Sequence, residues 1–368
     1  MTIDIPGAFL HADNKDYVVM KMVRMMVEQM VKKKPKVYQQ YVILEKGKSV
    51  LYLRQQKALY GMIKSALLFY RKLVSELQGM GFEISPYNPC VANKTINGTQ
   101  LTIRWHVDDF MIIHLSQDKI MKVVQGIKNI YRENLTETVG TVHDYLGMTF
   151  DYSFFREVRV KMWDYLGRVM KEFPKEITGV YATLASDYLF KVREDGRKLN
   201  EELADAFHRT VYQLLFAANR ARCDIQMAVS FLTTRVKSPE EDDWGKLVRV
   251  LEYINGTQYM KLILSADEMS FKVHWKMDGS HQIHKECREQ IGCLMTTGKE
   301  ATISSLNIMK CNTRSSTEAE LISVQTKLPD IIWTRYFVKC QGYGIDEYIV
   351  FQDNMSSLLL EKNGRIHP

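Results

Sequence analysis

Carboxylates recur in this 368-residue chain where apolar strands end. The densest case is QLTIRWHVDDFMIIHL, residues 100–115, where two runs of β-branched and aromatic side chains flank Asp108 and Asp109. That pattern reads as a β-hairpin with two carboxylates at its tip. Adjacent acids repel, and a hard divalent cation is the usual neutraliser because it prefers carboxylate oxygen. The plainer explanation is that Asp is a common turn residue. Asp4 stands where a short strand over residues 2–5 leaves its sheet, before the turn signal Pro6-Gly7. Asp278 lies on the polar face of a strand in which Phe271, Val273, Trp275 and Met277 alternate with Lys272, His274, Lys276 and Asp278. Asp353 follows the strand 348–352 and precedes a helix, at the strand end where α/β sheets place ligands. Glu320 falls in the first turns of a helix opened by SSTEAEL. Ser315 with Glu318 fits a capping box that leaves Glu320 free to face the sheet; Thr317 with Glu320 fits too, and spacing does not choose. Each acid singly is explained by a cap or a turn. Several meeting at one point would be costly without metals.

The elements that must position these acids follow from periodicity. Residues 20–36 are Met-rich and then basic (KKKPK), which reads as a solvated connecting loop, with nucleic-acid contact as the lesser alternative. A strand at 50–53 precedes a helix at 65–78, with Leu67, Leu68, Leu73, Val74 and Leu77 as its apolar face. A second helix spans 119–131, with Ile120, Val123, Val124, Ile127 and Ile130 at helical spacing. YLGMTF, 145–150, reads as a strand. From about residue 160 the pattern is helical, with Ser238, Pro239 and Glu241 as a start signal for a helix whose core face is Leu247, Val248, Leu251 and Ile254. The remainder reads as a hairpin (291–295, 301–308), two helices (316–327, 330–340), a strand (348–352) and a helix (354–362), the order of a mixed α/β domain.

Composition sets outer limits. Hydrophobic residues make up 46% and charged residues 25%, enough for two or three domains with cores of their own. The net charge of +7 permits a polyanionic partner without requiring one. The six cysteines (90, 223, 287, 293, 311, 340) have no Cys-x-x-Cys pair or metal-ligand spacing and read as reduced, mostly buried thiols of an intracellular protein. No signal peptide and no bilayer-length apolar run is present, so no membrane role is expected. Both ends read as cuts through a larger polypeptide.

DIPGAFLHAD, KALYGMIKSALLFYRKL, WHVDDF and YLGMTF, in this order, resemble the palm motifs of reverse transcriptases of Ty1/copia-type LTR retrotransposons. MDGSHQIH, RSSTEAEL and FQDN resemble the RNase H domain that follows in the same Pol polyprotein. The resemblance covers nearly the whole chain. It implies an α+β fold with a palm of antiparallel sheet and helices (1–155), a helical thumb or connection (156–262) and an RNase H-like domain (263–368).

It further implies an RNA-directed DNA polymerase with RNase H, using two Mg²⁺ per site. Asp4 and Asp108, supported by Asp109, would ligate one pair of ions; Asp278, Glu320 and Asp353 would ligate the other, the family pattern selecting Glu320. Phe9 matches the aromatic position under the nucleotide sugar that excludes a 2′-hydroxyl. Gly61 matches the motif that lets the backbone approach template and nucleotide, and YLGMTF matches the strand gripping the primer. His106 stands where the family usually has Tyr, beside the primer. The implied partners are an RNA template, a DNA primer, the RNA–DNA hybrid and deoxynucleotide triphosphates; the implied setting is cytoplasmic, in a virus-like particle. The fingers expected ahead of Asp4 and a fourth RNase H acid expected beyond Pro368 fall outside this sequence. The competing expectation is an inactive retrotransposon remnant that at most binds nucleic acid. The sequence is silent on oligomeric state.

Overall fold

The acidic hairpin forms as its alternation requires. In a computed structural model, which describes all residues except 132–134, 194, 266–270, 281–288 and 364–368, Thr99–His106 and Asp109–Ile113 pair antiparallel with His106 opposite Asp109. Leu101, Ile103, Trp105, Phe110 and Ile112 bury one side of the pair. The chain divides into two compact units, Met1–Thr138 and Val139–Pro368.

The first unit is built on a six-stranded antiparallel sheet. Its spatial order is Glu83–Ile84, Val91–Ile96, Thr99–His106, Asp109–Ile113, Thr2–Asp4 and Thr136–Thr138. Thr2–Asp4 is thus a central strand, flanked on both sides. Helices Ser65–Gly79 and Gln117–Tyr131 pack Phe69, Leu73, Leu77, Val123, Val124 and Ile127 against the sheet's Ile3, Ile103, Phe110 and Ile112. Leu67, expected on the apolar face of the first helix, is 46% exposed; Phe69 takes the buried place instead.

A separate three-stranded sheet, ordered Val19–Val23, Lys48–Arg54 and Ile43–Glu45, carries the helix Met25–Lys33 and the short helix Pro35–Tyr38. The stretch expected to be a loop is therefore a strand and a helix. Its Met and Val residues recur at helical spacing, and Val27 reaches the core at 2% exposure. The run of lysines obscured this signal because it begins inside the helix.

In the second unit, Val142–Tyr145, Met148–Phe154, Glu157–Lys161 and Leu262–Ser265 form a four-stranded antiparallel sheet. YLGMTF is not one strand: Tyr145 pairs with Met148 across a two-residue turn in which Leu146 (φ 51°) and Gly147 (φ 75°) are both left-handed. A Leu at positive φ is uncommon, which is why the turn is invisible to pattern reading. Helices Trp163–Glu172, Glu201–Ala218, Gln226–Thr233 and Glu241–Gly256 enclose the unit's largest core, including Phe207, Leu214, Val229, Leu247, Leu251 and Ile254. The last of these helices is capped by Glu240 and Asp243 rather than by Ser238 and Glu241. Pro239 lies outside it, its carbonyl accepting from Leu199 N–H.

The last sheet orders Ala301–Ile308, Gln290–Thr296, Lys272–Ser280 and Glu347–Phe351, with only the final pairing parallel. Against it lies one helix, Ser316–Cys340, where two were expected. Pro329 sits inside it, at a local cost of up to about 3 kcal/mol. Packing on both sides of the proline, by Ala319 and Ser323 before it and Ile331 and Thr334 after it, holds the helix continuous. A helix at Met355–Asn363 follows the final strand. Among the described cysteines all are free, only Cys293 is buried, and Cys311 is exposed. Cys287 and the 281–284 portion of MDGSHQIH lie outside the described residues. No helix among the described residues is long and apolar enough to cross a membrane.

Candidate active site

Two sets of acids are brought together, one in each unit. In the first, pairing of the central strand does the work: Asp4 lies directly opposite Asp109, and Ile5 N–H donates to the Asp108 carbonyl at 3.1 Å. Asp108 occupies the hairpin turn itself, next to Val107 at φ 56°. A β-branched residue in the left-handed region is strained by roughly 1–3 kcal/mol, and such strain concentrates at functional turns.

Electrostatics record the same proximity. Burial, then the Asp108 charge, pushes the Asp4 carboxyl above its usual range, although Ile5 N–H works the other way. Asp109 is likewise raised, by burial first and then by Asp108 and Asp4, with His106 opposing. Negative charge is thus concentrated at one strand end beyond what the local structure neutralises.

Aromatic residues border this set. The rings of Phe9 and Tyr60 lie 4.6 Å apart, and Phe9 also meets Phe69 edge-on at 6.3 Å. The Tyr60 phenol is raised by burial and then by the Asp108 and Asp4 charges, so it sits within their field. Gly61 follows at φ 92°, with nothing within 4 Å of where a Cβ would stand. Its conformation, rather than crowding, is what requires glycine. Tyr60 escaped sequence reasoning although it stands inside the ALYG phrase; its 53% exposure, its contact with Phe9 and its place in the field of Asp108 and Asp4 set it apart from a core residue. His106 is exposed at the strand end opposite Asp109.

The second set closes more tightly. One carboxylate oxygen from each of Asp278, Glu320 and Asp353 lies within 4.8 Å of the other two. Asp278 comes from Lys272–Ser280, Asp353 follows the parallel strand Glu347–Phe351, and Glu320 comes from the first turns of Ser316–Cys340. Ser315 accepts from Glu318 N–H and so caps the helix, leaving Glu320 to face the sheet. The rival Thr317–Glu320 box does not form. Glu318 instead accepts from Arg314 N–H at 2.7 Å.

Glu320 is 5% exposed, and burial raises its carboxyl above the usual range, with Asp278 and Asp353 adding to the shift. Gly279 N–H and the Gln352 amide donate to it and partly offset this. Its Oε2 is buried without a hydrogen-bond partner. A buried, unpartnered carboxylate oxygen facing two further carboxylates is the donor set of a hard divalent cation. Residues 278, 320 and 353 fit such an ion.

Gly279 and Gln352 were not singled out by sequence. A Cβ at Gly279 would stand 2.6 Å from Ser323 Oγ and 2.7 Å from the Ala319 carbonyl, so helix and strand touch there because the side chain is absent. Gln352 Nε2 also donates to the Glu320 carbonyl at 3.3 Å.

Known proteins resemble this chain in sequence and in fold. Residues 1–186 match the family model described as reverse transcriptase (RNA-dependent DNA polymerase). Over 99% of its length the chain is 23% identical to the retrovirus-related Pol polyprotein from transposon TNT 1-94 of Nicotiana tabacum, of which it spans 26%. It is 24% identical over 74% of its length to the transposon Ty5-1 protein of Saccharomyces cerevisiae, spanning 87% of that protein. Among solved structures, the foamy viral protease-reverse transcriptase in complex with RNA/DNA hybrid superposes with a TM-score of 0.54 at 12% identity, covering 99% of this chain and 40% of that one. With the family model matched over half its length, and with strand pairing that sets Asp4 beside the Asp108–Asp109 turn, the chain belongs to the reverse transcriptase (RNA-dependent DNA polymerase) family.

Proposed function

We propose that this chain carries the polymerase and RNase H centres of a copia-like retrotransposon Pol protein, extending a DNA primer on an RNA template and cutting the RNA strand of the resulting hybrid. The observation that carries the polymerase reading is the register of one strand pair, Asp4 opposite Asp109, in a chain of this family. Asp4 and Asp108 would hold Mg²⁺, with Asp109 in support. When bound, two such ions would acidify the attacking hydroxyl or water and neutralise the phosphate charge. The residues themselves do the positioning. Phe9, held against Tyr60, would lie under the sugar and exclude a 2′-hydroxyl. Gly61 would let template and nucleotide approach the backbone. His106 would hydrogen-bond or stack beside the primer end.

Asp278, Glu320 and Asp353 would hold the metals of the RNase H centre. Support for that part is the convergence of their oxygens within 4.8 Å and the unpartnered Glu320 Oε2. A single experiment separates the two centres. Asp108→Asn is expected to abolish Mg²⁺-dependent extension of oligo-dT on poly-rA while hybrid cleavage and the far-UV CD spectrum stay unchanged. Extension that persists in this variant would reject the assigned polymerase site.

A further inference from the structure

Gln352 directly precedes Asp353, between the strand Glu347–Phe351 and the helix Met355–Asn363, and is 9% exposed. Its Nε2 donates to the Glu320 main-chain carbonyl at 3.3 Å. Burial raises the Glu320 carboxyl first of all, and the same amide is among the groups that draw it back. Gln352 thus fastens Glu320, which comes from the helix Ser316–Cys340, to the strand end that carries Asp353.

Its Oε1 has no such employment. That oxygen is buried and, among the described residues, accepts from no donor. The second acid set therefore contains two buried, unpartnered oxygens, Glu320 Oε2 and Gln352 Oε1, on residues joined by one hydrogen bond. A buried amide oxygen without a donor costs about 1–3 kcal/mol. Fastening strand to helix requires only the N–H, and the fold already has a plainer fastener nearby. Ser357, fully buried, donates from Oγ to the Thr317 carbonyl at 3.1 Å, joining the following helix to the first turn of Ser316–Cys340. The donor that suits an oxygen beside three carboxylates is a water carried by a divalent cation. Mg²⁺ keeps several of its waters and demands near-octahedral geometry, whereas the larger Ca²⁺ accepts irregular sets of oxygens. A side chain that fixes one ligand and accepts from the ion's water acts on the first ion more than on the second.

We propose that Gln352 is a positioning residue that makes the second acid set selective for Mg²⁺ over Ca²⁺, its N–H holding Glu320 toward Asp353 and its Oε1 accepting from a water on the ion. The proposal rests on the RNase H reading for the presence of that ion and is independent of the polymerase centre.

The test is Mn²⁺ binding to the full chain, followed by the EPR signal of free Mn²⁺, with Mg²⁺ or Ca²⁺ added as competitor. Sites that Asp353→Asn removes are those of the second set, so the polymerase acids do not enter the comparison. At these sites Gln352→Met, which keeps the bulk and loses both polar atoms, should weaken Mg²⁺ at least tenfold and Ca²⁺ no more than threefold. Gln352→Asn, which keeps the amide but draws it back by one carbon, should shift the ratio in the same direction and serves if the Met variant does not fold. Ser357→Ala removes the plain fastener; it should lower the melting temperature and leave the Mg²⁺/Ca²⁺ ratio as in wild type. Equal weakening of both ions in the Gln352 variants, no weakening of either, or the same change of ratio in Ser357→Ala would overturn the proposal. If Asp353→Asn removes sites while the Gln352 variants keep the wild-type ratio, the RNase H reading stands and only this proposal falls. If Asp353→Asn removes none, both fall.

Discussion

Asp108 stands at the tip of the hairpin because Val107 beside it accepts a backbone that few residues tolerate. The φ of 56° at a β-branched residue stores roughly 1–3 kcal/mol, which the flanking buried pairs Trp105–Phe110 and Ile103–Ile112 hold in place. Val107→Gly removes this strain, so its unfolding free energy in urea is expected to stay within about 1 kcal/mol of wild type or rise. Primer extension should nevertheless fall, because the glycine frees the turn that aims Asp108. A large loss of stability would mean that the Val107 side chain, and not the turn geometry, is what the structure needs. At this scale the acids were legible in the sequence: Asp4 and Asp109 stand at strand ends, Asp108 in the turn between two strands, Glu320 in the first turns of a helix and Asp353 just past a strand, whereas the strand that carries Asp278 runs on to Ser280. Tyr60, Gly279 and Gln352 were not, since their importance comes from what they touch across the fold.

Elements show where local pattern ceases to suffice. Periodicity located the hairpin, the helices Ser65–Gly79 and Gln117–Tyr131 and the alternating strand Lys272–Ser280. It failed at Pro329, where packing outweighs the missing hydrogen bond, and at Leu146-Gly147, where tertiary pairing imposes the turn. Contact between Lys272–Ser280 and Ser316–Cys340 depends on Gly279 having no side chain. Gly279→Ala should cost about 1–3 kcal/mol in denaturant unfolding, by overpacking against the Ala319 carbonyl, and should weaken hybrid cleavage more than primer extension. In the sheet that follows the Asp108–Asp109 hairpin in the chain, Asp151 accepts from Lys161 Nζ at 2.7 Å and from Ser153 N–H, and these bonds hold its carboxyl down to about 2. A folded-state value below the ordinary 3.8 gives stability that is present above pH 3.8 and is lost as pH falls from there to about 2. Asp151→Asn should therefore flatten the acid limb of a urea-melt series between pH 5 and 2; an unaltered limb would show that the ion pair does not hold in solution.

On the scale of the whole chain, each unit has its own core: one around Leu101, Ile103 and Phe110, the other led by Phe207, Leu214 and Leu251. Leu101 is fully buried, and Leu101→Ala should destabilise the first unit by about 2–5 kcal/mol. Hydrogen exchange should then quicken across Thr99–His106 and Ser65–Gly79 while Glu201–Ala218 keeps its protection. Uniform loss of protection would mean that the two units unfold as one. By itself the amino-acid sequence determined the types of these segments, the sidedness of the strands and the identity of the acids, because side-chain period and turn chemistry act between near neighbours. Only the tertiary structure decided that Thr2–Asp4 enters between Asp109–Ile113 and Thr136–Thr138, and that residues 278, 320 and 353 close to within 4.8 Å. Those partners are separated by tens to more than a hundred positions, and what joins them is the shared burial of distant apolar faces, a quantity that no local window of sequence contains.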